Sequence, residues 1–510
     1  MTQSISPTII LHSSDNVAVT RRPLACGDEV GHSKLLARDT VPRGHKIAVE
    51  RIPTGCAIRK FGQVIAYASE DIAPGAHVHV HNAVMRDVSL QHEFCVDASA
   101  PEIVPASQRA RFNGIPRPSG KVGTRNYIAI ISSVNCSATV SKAVADHFRQ
   151  EQRLSAYKNV DGVVAFTHGS GCSSNGYAEG YHYLTRTLAG YASNPNVGGV
   201  VMIGLGCETN QISLMLDEHK LQENPTLGTF NIQAYGGTRK TVDSAIDRVG
   251  TMLHEVNRFA RTSCYASDLV LALQCGGSDG YSGISANPAL GYAADLIVKQ
   301  GGTAVLSETP EIYGAEHLLT RRAATPGVAQ ALLERIEWWR DYTQRNNAEL
   351  NNNPSHGNKA GGLTTILEKS LGAVAKGGTT RLNAVYEFAE PITQKGLVFM
   401  DTPGNDPVAV TGQVAGGANL IGFTTGRGST SGFKPAPCIK IASNTPMYER
   451  MSDDMDINCG EIITGEESIE QAGQRIFDKM LAVASGEKSA SERYDYGNNE
   501  FVPWTIGAVM

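Results

Sequence analysis

Short apolar segments, interrupted by turn signals, run through the first 95 residues of the chain. They read IILH, NVAV, KIAVERI, QVIAYA and HVHVHN, and Ala-Pro-Gly at residues 73–75 is one of the turns between them. Short strand-like segments with frequent turns are typical of a small all-β domain. We therefore predict an all-β module over residues 1–95.

The composition changes between residues 96 and 123. This stretch is rich in Pro, Ala, Ser and Arg, and its prolines stand at positions 101, 105, 116 and 118. Such a composition is typical of an extended connection between two domains. We predict a linker over residues 96–123.

From residue 124 onward, apolar strand-like segments alternate with helical ones. The first series contains YIAIISSV, DGVVAFT and GGVVMIGLG, and a second series contains DLVLALQ, TAVLSE, GLVFMD and ANLIGFTT. Alternation of this kind predicts mainly parallel sheets with helices on both faces. We predict a multidomain α/β protein in which two Rossmann-like α/β domains, at residues 124–262 and 263–510, follow the all-β module.

Composition and charge argue against several classes of protein. The net charge of the 510 residues is only −5, and lysine and arginine are scattered, so we expect no nucleic-acid partner. The N-terminus lacks the pattern of a signal peptide and no segment approaches the ~20 apolar residues of a membrane span, so we expect a cytoplasmic protein without membrane association. Ten cysteines are too sparse for a disulfide scaffold here, which leaves their thiols for burial, metal binding or catalysis.

Four of these cysteines follow predicted strands. Cys136, Cys172, Cys207 and Cys275 stand just after apolar segments, where the ligands of parallel α/β sheets bind, and His168 precedes Cys172. Thiolates are soft ligands for iron or zinc, so the set predicts a metal or catalytic site. The alternative is that each cysteine is a small buried apolar residue. The chain has no Cys-x-x-Cys pair, which argues against a structural zinc ribbon.

Histidines in the all-β module form a second candidate site. His77, His79 and His81 alternate in HVHVHN, which in a strand places the three imidazoles on one face, and His45 and Lys46 follow a glycine earlier in the module. Histidines on one face can bind a metal or an anion, whereas the alternative is a solvated strand edge.

Later loops supply groups that are suited to anions. GFTTGRGSTSG offers backbone amides, hydroxyls and Arg427 in one turn, PSHGNKAGG carries Asn358 and Lys359, and CGGSDG carries Ser278 and Asp279. The alternatives are a tight structural turn around Arg427 and a solvated charge at Lys359. Neither GLGCE nor GRGSTS has the spacing of a dinucleotide fingerprint, so we expect no NAD or FAD.

Several longer segments resemble one family, the altronate and galactarate dehydratases. The similar segments are GHKIA, FGQVIAYA, HVHVHN, GTRNYIAI, VGGVVMIGLGCE, QCGGSDGYSGISANPALGYAADL, NPSHGNKAGGLTTILEKSLG, TPGNDPVAVTG and FTTGRGSTSGF. The resemblance implies an N-terminal β-clip module of the SAF type, a larger α/β catalytic region, and an iron-dependent lyase that forms a 2-keto-3-deoxy sugar acid. Two segments, HVHVHN and EIYGAEHLL, are similar to the altronate branch. Two others, MDINCGEIITGEESIE and the stretch between Gln274 and Ala289, are about equally similar to the galactarate branch. We take D-altronate as the first substrate hypothesis.

Three other functions stay open at this point. One is a galactarate dehydratase and another is a sulfolactate sulfo-lyase, which catalyses a related elimination. The related sulfo-lyase carries the same two parts as separate chains, so their fusion in this chain argues against that function. A non-catalytic sugar-acid binding protein would need an output module, and the sequence shows no helix-turn-helix or kinase pattern.

The requirements of sugar-acid dehydration suggest a role for each candidate residue. The proton beside a carboxylate is weakly acidic and hydroxide is a poor leaving group, so a metal and positioned acid-base groups are needed. The predicted cofactor is iron, as Fe²⁺ or an iron–sulfur cluster, with Mn²⁺ as the alternative, and we expect a homodimer that acts on a small-molecule sugar acid. The residues predicted for catalysis are His45, Lys46, His168 and Lys359, those for substrate binding are Arg427, Ser278, Asp279, Asn358, His79 and His81, and those for metal binding are Cys136, Cys172 and Cys207.

Overall fold

The N-terminal region is all-β, as its short apolar segments predicted. The structure is a computed structural model that describes residues 5–31, 34–86, 91–172 and 178–507. The strands of the module are β1 (Thr8–Ile9), β2 (Val17–Thr20), β3 (Lys46–Ala48), β4 (Ala57–Lys60), β5 (Gln63–Ala68), β6 (His77–Val78) and β7 (Ala83–Val84). They form two antiparallel sheets with the orders β1-β2-β3-β6 and β4-β5-β7. Ala18, Leu24 and Ile47 pack inside the module, whereas Ile58 and Ile65 join the core of the C-terminal region.

The second region contains a four-stranded parallel sheet. Its elements are β8 (Arg111–Pro116), β9 (Val122–Gly123), β10 (Tyr127–Ser132), α1 (Ala138–Phe148), α2 (Glu151–Leu154), β11 (Gly162–Phe166), α3 (Glu179–Ala192), β12 (Val197–Gly204), α4 (Ile212–Glu218), β13 (Leu227–Asn231), α5 (Thr238–Val256) and β14 (Thr262–Tyr265). The parallel sheet has the order β11-β10-β12-β13, and β14, β8 and β9 form a separate antiparallel sheet.

Alternate residues of β10 show how this sheet is covered. Ile128 and Ile130 pack in one core with residues of α1 and α5, whereas Ala129 and Ile131 pack in another core with residues of α3. Successive side chains of a strand point to opposite faces, so a strand that is apolar throughout must be buried on both faces.

The C-terminal region contains a seven-stranded parallel sheet. Its elements are β15 (Val270–Cys275), α6 (Ala286–Lys299), β16 (Thr303–Leu306), α7 (His317–Thr320), α8 (Pro326–Arg345), α9 (His356–Ala360), α10 (Ile366–Val374), β17 (Leu382–Tyr386), β18 (Gly396–Met400), α11 (Asp406–Ala415), β19 (Leu420–Thr425), β20 (Cys438–Ala442), α12 (Thr445–Arg450), β21 (Ile457–Asn458), α13 (Glu461–Thr464), α14 (Ile469–Ala484) and α15 (Ala490–Arg493). The prediction of a multidomain α/β protein with two mainly parallel sheets is confirmed.

The strand order of the large sheet locates a crevice. The order is β17-β18-β16-β15-β19-β20-β21, so the chain starts at β15, builds β16 to β18 on one side and then places β19 to β21 on the other. Ligands of such sheets bind at the carboxyl ends of the strands where the order reverses. In this protein the reversal lies at the carboxyl ends of β15 and β19.

Buried polar and aromatic contacts join the second and C-terminal regions. Asn194 Nδ2 donates to the carbonyl oxygen of Val414 at 2.8 Å. Near the end of the chain, Trp504 stacks on Tyr183 of α3 and on Trp339 of α8, with ring centroids 5.0 and 5.4 Å apart. The two parallel sheets therefore share an interface that includes the C-terminal segment.

None of the helices in the described part of the chain is both long and apolar enough to span a bilayer.

Candidate active site

Close contact between glycines brings the all-β module onto the carboxyl end of β15. The carbonyl oxygen of Gly44 would lie only 2.0 Å from a Cβ atom on Gly280 and 2.4 Å from one on Gly362. A side chain at either position would collide with backbone, so glycine permits this approach. The contact carries His45 and Lys46, which follow Gly44, into the interface between the two regions.

Three imidazoles gather at the docked edge of the module, and we call His45, His77 and His79 the histidine triad. Their ligand nitrogens lie within 4.8 Å of one another, and His45 Nδ1 is 3.1 Å from His77 Nε2. His45 Nε2 lies 3.3 Å from the carbonyl oxygen of Ala360. His79 Nδ1 is buried and has no hydrogen-bond partner among the described residues. The exposed ring of His81 lies 5.4 Å from that of His77, so a fourth imidazole adjoins the triad.

Burial keeps the histidine triad uncharged. Burial, with nearby positive groups as the second cause, lowers the pKa of His77 to about 4 and the pKa of His79 to about 3. Burial also lowers the pKa of His45. A neutral imidazole keeps a lone pair on one ring nitrogen, so at neutral pH the triad offers three potential metal ligands.

A buried ion-pair network lies next to the triad, and we call Lys46, Lys60 and Glu368 the Glu368 network. Lys46 Nζ donates to Glu368 Oε2 at 2.8 Å and to the carbonyl oxygen of Gly362 at 2.6 Å. Lys60 Nζ donates to Glu368 Oε1 at 3.0 Å. The three side chains are at most 2% exposed. The network thus joins the module to α10 through charges that solvent does not reach.

The charges of this network depend on one another. Burial alone would raise the pKa of Glu368, but the ammonium groups of Lys46 and Lys60 outweigh it and hold that pKa below its ordinary value. Burial lowers the pKa of Lys46 to about 8 even though Glu368 opposes the change. Because its ammonium group already donates to Glu368 and Gly362, Lys46 is better placed to hold the module in position than to move a proton.

A second buried group lies at the carboxyl ends of β15 and β16, and we call Cys275, Glu308 and Glu311 the carboxylate cluster. Their ligand atoms also lie within 4.8 Å of one another. Lys376 Nζ lies 3.0 Å from Cys275 Sγ and 3.2 Å from Glu308 Oε2, and Lys369 Nζ lies 2.7 Å from Glu311 Oε1. Lys369 follows directly after Glu368 in α10, so one helix connects the carboxylate cluster to the Glu368 network.

Electrostatics shift the pKa values of the carboxylate cluster in different directions. Burial, reinforced by Glu311, raises the pKa of Glu308 well above its ordinary value. Burial would raise the pKa of Glu311 too, but Lys369 and Lys376 lower it on balance. Burial raises the pKa of Cys275 to about 11, so its thiol is protonated at neutral pH.

Two residues that the sequence predicted for substrate binding are used to hold loops. Asp279 Oδ1 accepts bonds from the hydroxyls of Ser282 and Ser443, each at 2.9 Å. Asn358, in the first turn of α9, accepts from the backbone N–H of Ser355 at 3.0 Å and donates from Nδ2 to the carbonyl oxygen of Ser278 at 2.9 Å. Both side chains therefore organise the crevice edge.

Other predicted residues keep their side chains available. Those of Arg427 and Lys359 make no hydrogen bond or ion pair with any residue that the structure describes. Arg427 is exposed and its backbone N–H donates to the carbonyl oxygen of Gly277 at 2.8 Å, which places it at the strand-order reversal. Lys359 lines a cavity of about 830 Å³, and the next residue, Ala360, contacts His45 through its carbonyl oxygen. In the predicted set, Arg427 and Lys359 are the two cationic side chains that the described residues leave without a hydrogen bond or ion pair.

The remaining predicted residues lie at the edge of the other parallel sheet. Cys136, Cys172 and Cys207 follow β10, β11 and β12, which are neighbours, and all three are exposed. The backbone N–H and hydroxyl of Thr209 donate to the carbonyl oxygen of Cys172 at 3.2 and 2.6 Å, which ties two of the loops together. His168 Nε2 bonds the carbonyl oxygen of a strand residue at 3.0 Å, and burial lowers the pKa of His168 to about 4.

The two sheets thus separate the predicted residues into two sets. The structure brings His45, Lys46, His79, His81 and Lys359 together with the large sheet. His168 and the three exposed cysteines instead belong to the loops of the four-stranded sheet, which we call the cysteine loops (residues 134–137, 168–172 and 205–209). Among the described residues, no hydrogen bond and no candidate metal-binding group joins those cysteines to the histidine triad.

The possible metal sites differ in how well they fit a cation. The 3.1 Å between His45 Nδ1 and His77 Nε2 resembles the spacing of about 3.4 Å between neighbouring ligands of a tetrahedral ion. The contact of His45 Nε2 with a backbone carbonyl also matches the support that metal-binding histidines receive. In the carboxylate cluster, by contrast, Lys369 and Lys376 already bond the ligand atoms, and their charges oppose a further cation. The histidine triad is the better fit.

The ligand atoms of the cysteine loops are not as close together as those of the histidine triad. Cys136, Cys172 and Cys207 are not a group whose sulfur atoms all lie within 4.8 Å of one another. A cluster of several irons spans wider gaps than one ion, so the cysteine ligand set stays a prediction.

Lys46 was predicted as a catalytic residue, but its buried partners Lys60 and Glu368 were not, nor were the two lysines that contact the carboxylate cluster. A sequence signal exists, because Glu368, Lys369 and Lys376 stand inside the otherwise apolar run ILEKSLGAVAKGG. Charged residues are almost never fully buried unless they are paired. Charges within an apolar helical segment therefore indicate buried partners, although the identity of those partners is not readable from the segment.

Three family models match successive parts of the chain. They are described as "Altronate/galactarate dehydratase SAF domain" for residues 6–86, "D-galactarate dehydratase/Altronate hydrolase, second domain" for residues 114–257, and "D-galactarate/Altronate dehydratase, C-terminal" for residues 266–509.

Curated relatives are similar over nearly the whole chain. A galactarate dehydratase (L-threo-forming) of Escherichia coli (strain K12) is 38% identical over 488 residues, covering 94% of this chain and 93% of the relative. Altronate dehydratases of Bacillus subtilis (strain 168) and Escherichia coli (strain K12) are 33% and 34% identical, each covering 96% of this chain and 97% of the relative.

Proposed function

The chain belongs to the altronate and galactarate dehydratase family and is a hydro-lyase of that type, and from this premise we propose that it dehydrates a six-carbon sugar acid at the histidine triad. The observation that carries the proposal is the triad itself. It consists of three uncharged imidazoles at the docked interface, and Lys359 directly precedes Ala360, whose carbonyl oxygen contacts one of them.

The reaction sets clear requirements for the site. A base must remove the proton from the carbon next to the carboxylate, and the hydroxyl on the following carbon must leave with a proton as water. The resulting enol then rearranges to a 2-keto-3-deoxy acid. Negative charge develops on the substrate carboxylate in the first step, so cations close to that group lower the barrier.

His45, His77 and His79 would hold the metal, for which the family resemblance implies iron. When bound, a divalent metal supplies Lewis acidity that stabilises charge on the substrate carboxylate. Iron is compatible with imidazole ligands, and Mn²⁺ is the alternative. The competing proposal places iron at Cys136, Cys172 and Cys207, and metal content in variants of the two sets distinguishes the two proposals.

Residues next to the triad would move the protons. His81 is exposed beside the triad, and an imidazole outside the metal-binding set is suited to remove the proton next to the carboxylate. Lys359 would donate a proton to the leaving hydroxyl, and Arg427 would hold a substrate carboxylate by charge-assisted hydrogen bonds. Lys46 is a positioning residue, because its ammonium group is occupied by Glu368 and Gly362.

Two substrates remain to be separated. D-altronate is the acid that HVHVHN and EIYGAEHLL favour, and galactarate is the alternative. They differ at C6, where altronate carries a hydroxyl group and galactarate a second carboxylate, and also in the configuration of their hydroxyl-bearing carbons. Residues that contact C6 and residues that contact the chain hydroxyls therefore both contribute to the choice between them.

The direct test combines metal analysis with a substrate screen. Protein purified without oxygen and loaded with Fe²⁺ is incubated with D-altronate, galactarate and, for the sulfo-lyase alternative, sulfolactate. We expect a 2-keto product from at least one sugar acid, read as semicarbazone absorbance, and no sulfite. Binding without turnover of either sugar acid would instead support the non-catalytic alternative. Light scattering on the same sample measures assembly, for which we expect a homodimer.

A further inference from the structure

A second cavity lies in the second region, at the amino edge of the four-stranded parallel sheet. Its volume is about 430 Å³, and the first residues of β12 and β13, Val197 and Leu227, are among the residues that line it. The cysteine loops stand at the carboxyl edge of the same sheet, and the eight residues of β12 separate the two edges by roughly 23 Å. None of the described lining residues belongs to the histidine triad or the carboxylate cluster. The cavity is therefore separate from every site considered above.

The walls of this cavity carry three positive side chains. Arg117, Lys121 and Lys220 line it, and none of the described lining residues is an aspartate or a glutamate. Lys121 and Lys220 are exposed, and their ammonium groups make no hydrogen bond or ion pair with any residue that the structure describes. Positive charge that is not paired with carboxylates attracts an anion.

Arg117 is the buried member of the three cations. Its guanidinium donates to the carbonyl oxygen of Pro195 at 2.7 Å, to Asn126 Oδ1 at 2.9 Å and to the carbonyl oxygen of Arg125 at 3.0 Å. All three acceptors are uncharged, although a buried arginine is usually paired with an acid. Burial lowers the pKa of Arg117 to about 10, with Asp161 opposing the change, so the group is charged at neutral pH. A guanidinium has five N–H groups, and these three bonds leave two of them for a ligand.

The guanidinium of Arg117 is held in place by its surroundings. A Cβ atom on Gly198 would lie 3.1 Å from Arg117 Nη1 and 2.2 Å from Asn126 Oδ1, so glycine leaves room for this pair. The guanidinium also lies over the ring of Phe259, 5.0 Å from its centroid. Gly198 and Phe259 both line the cavity. A charged group that is already fixed in position costs less entropy when a ligand binds to it.

Uncharged polar groups also face this cavity. Ser119 and Ser193 are among the lining residues, and their hydroxyls have no hydrogen-bond partner among the residues that the structure describes. A hydroxyl both donates and accepts hydrogen bonds. These two side chains therefore suit the oxygens of a small polar ligand.

We propose that this cavity binds a small phosphate-bearing molecule through Arg117, Lys121 and Lys220. A phosphate monoester carries a charge of about −1.5 to −2 at neutral pH and three strong acceptor oxygens, whereas a carboxylate carries a single charge. Several cations without acidic partners therefore match a phosphate better than a carboxylate. The inference goes beyond the proposed function and does not depend on it, because the cavity is separate from the histidine triad.

Calorimetric titration of the full-length wild-type protein tests the proposal. Glycerol 3-phosphate is the probe and succinate is the comparison, each in a phosphate-free buffer at the same ionic strength, because salt screens exposed charges. We expect glycerol 3-phosphate to bind with a Kd of about 1 mM or lower, and about tenfold or more tightly than succinate.

Matched variants locate the binding. Lys121→Gln/Lys220→Gln removes two positive charges from the cavity, and we expect the Kd for glycerol 3-phosphate to rise about tenfold or more. Lys142→Gln/Lys158→Gln is the control, since both are exposed lysines of the same region that do not line the cavity. The control removes the same net charge and should change the Kd by less than about twofold. Thermal unfolding checks that both variants are folded.

The outcomes decide the proposal without reference to catalysis. Binding of glycerol 3-phosphate that is weakened in the cavity variant and kept in the control would support the site. Three results would overturn it, namely no binding to the wild-type protein, equal Kd values in the two variants, or succinate binding as tightly as glycerol 3-phosphate. None of these results depends on turnover of a sugar acid, so each leaves the dehydratase proposal standing.

Discussion

Two places in this molecule gather reactive side chains at the ends of parallel strands, and they are built in opposite ways. At the large sheet, the histidine triad and the Glu368 network come from separate regions, and Lys46 and Glu368 are 322 positions apart in the chain. At the four-stranded sheet, the cysteine loops follow three strands of a single sheet, and their thiols are exposed.

The difference shows what holds each site together. The cysteine loops need only their own sheet to bring them near one another. The triad forms only if the all-β module docks, and that docking buries two lysines and a glutamate that must compensate one another. The histidine triad is therefore sensitive to changes of charge at the interface, and the cysteine loops are sensitive to solvent and oxidants.

Removing a member of the triad should have the largest effect. We expect His77→Ala and His79→Ala each to lower kcat/KM about a hundredfold or more and to reduce iron content, because each removes a metal ligand. His12→Ala is the control, since His12 is an exposed histidine of the same module. Elemental analysis and keto-acid formation measure the two effects. Full iron content and activity in both variants would exclude the triad as the metal site.

Breaking the Glu368 network should have the next largest effect. Glu368→Gln leaves two buried ammonium groups without a carboxylate, and we expect the free energy of unfolding to fall by about 3–5 kcal/mol. Glu334→Gln, at an exposed position of α8, should change it by less than about 0.5 kcal/mol. Urea unfolding measures both.

Replacing all three side chains of the Glu368 network by apolar ones separates the effect of charge from the effect of packing. In Lys46→Met/Lys60→Met/Glu368→Leu no buried charge is left unpaired, so we expect much of the stability lost in Glu368→Gln to return. A loss in the triple variant as large as in Glu368→Gln would show that the packing of these side chains, and not their charge balance, holds the module in place.

Changes at the cysteine loops should have the smallest effect if the triad holds the iron. We expect Cys136→Ser, Cys172→Ser and Cys207→Ser each to keep iron content and to change kcat/KM less than about threefold. Loss of iron in all three cysteine variants, with iron retained in the triad variants, would show that the cysteine loops bind the metal, as the sequence predicted.

Thiol labelling tests independently whether the cysteine loops bind iron. Cys136, Cys172 and Cys207 are exposed and should react with iodoacetamide in native protein, whereas buried Cys275 should react only after unfolding. Burial raises the pKa of Cys275 to about 11, which also keeps it in the unreactive thiol form. Iron loading should leave the labelling rate of the three exposed cysteines unchanged. Protection of all three by iron would show that they bind it.

Much of the fold was readable because local patterns decide it. The short segments of residues 1–95 predicted β-structure, and the alternation after residue 124 predicted two parallel sheets, since a strand buried on both faces is apolar throughout. The strand-end rule also placed Ser278, Asp279 and Arg427 at the crevice edge. Glycine spacing alone did not reveal that Gly44, Gly280 and Gly362 contact one another, because that contact joins distant segments.

By itself, the sequence determined the element types, the order of the three regions and the family resemblance, because each rests on residues that are close together in the chain. Only the tertiary structure decided that His45 and Lys46 meet α9 and α10, and that the cysteines lie on another sheet. The physical reason is that burial and charge pairing are properties of surfaces brought together from far apart in the chain. The sequence alone does not distinguish a lysine exposed to solvent from one that is buried and paired with Glu368.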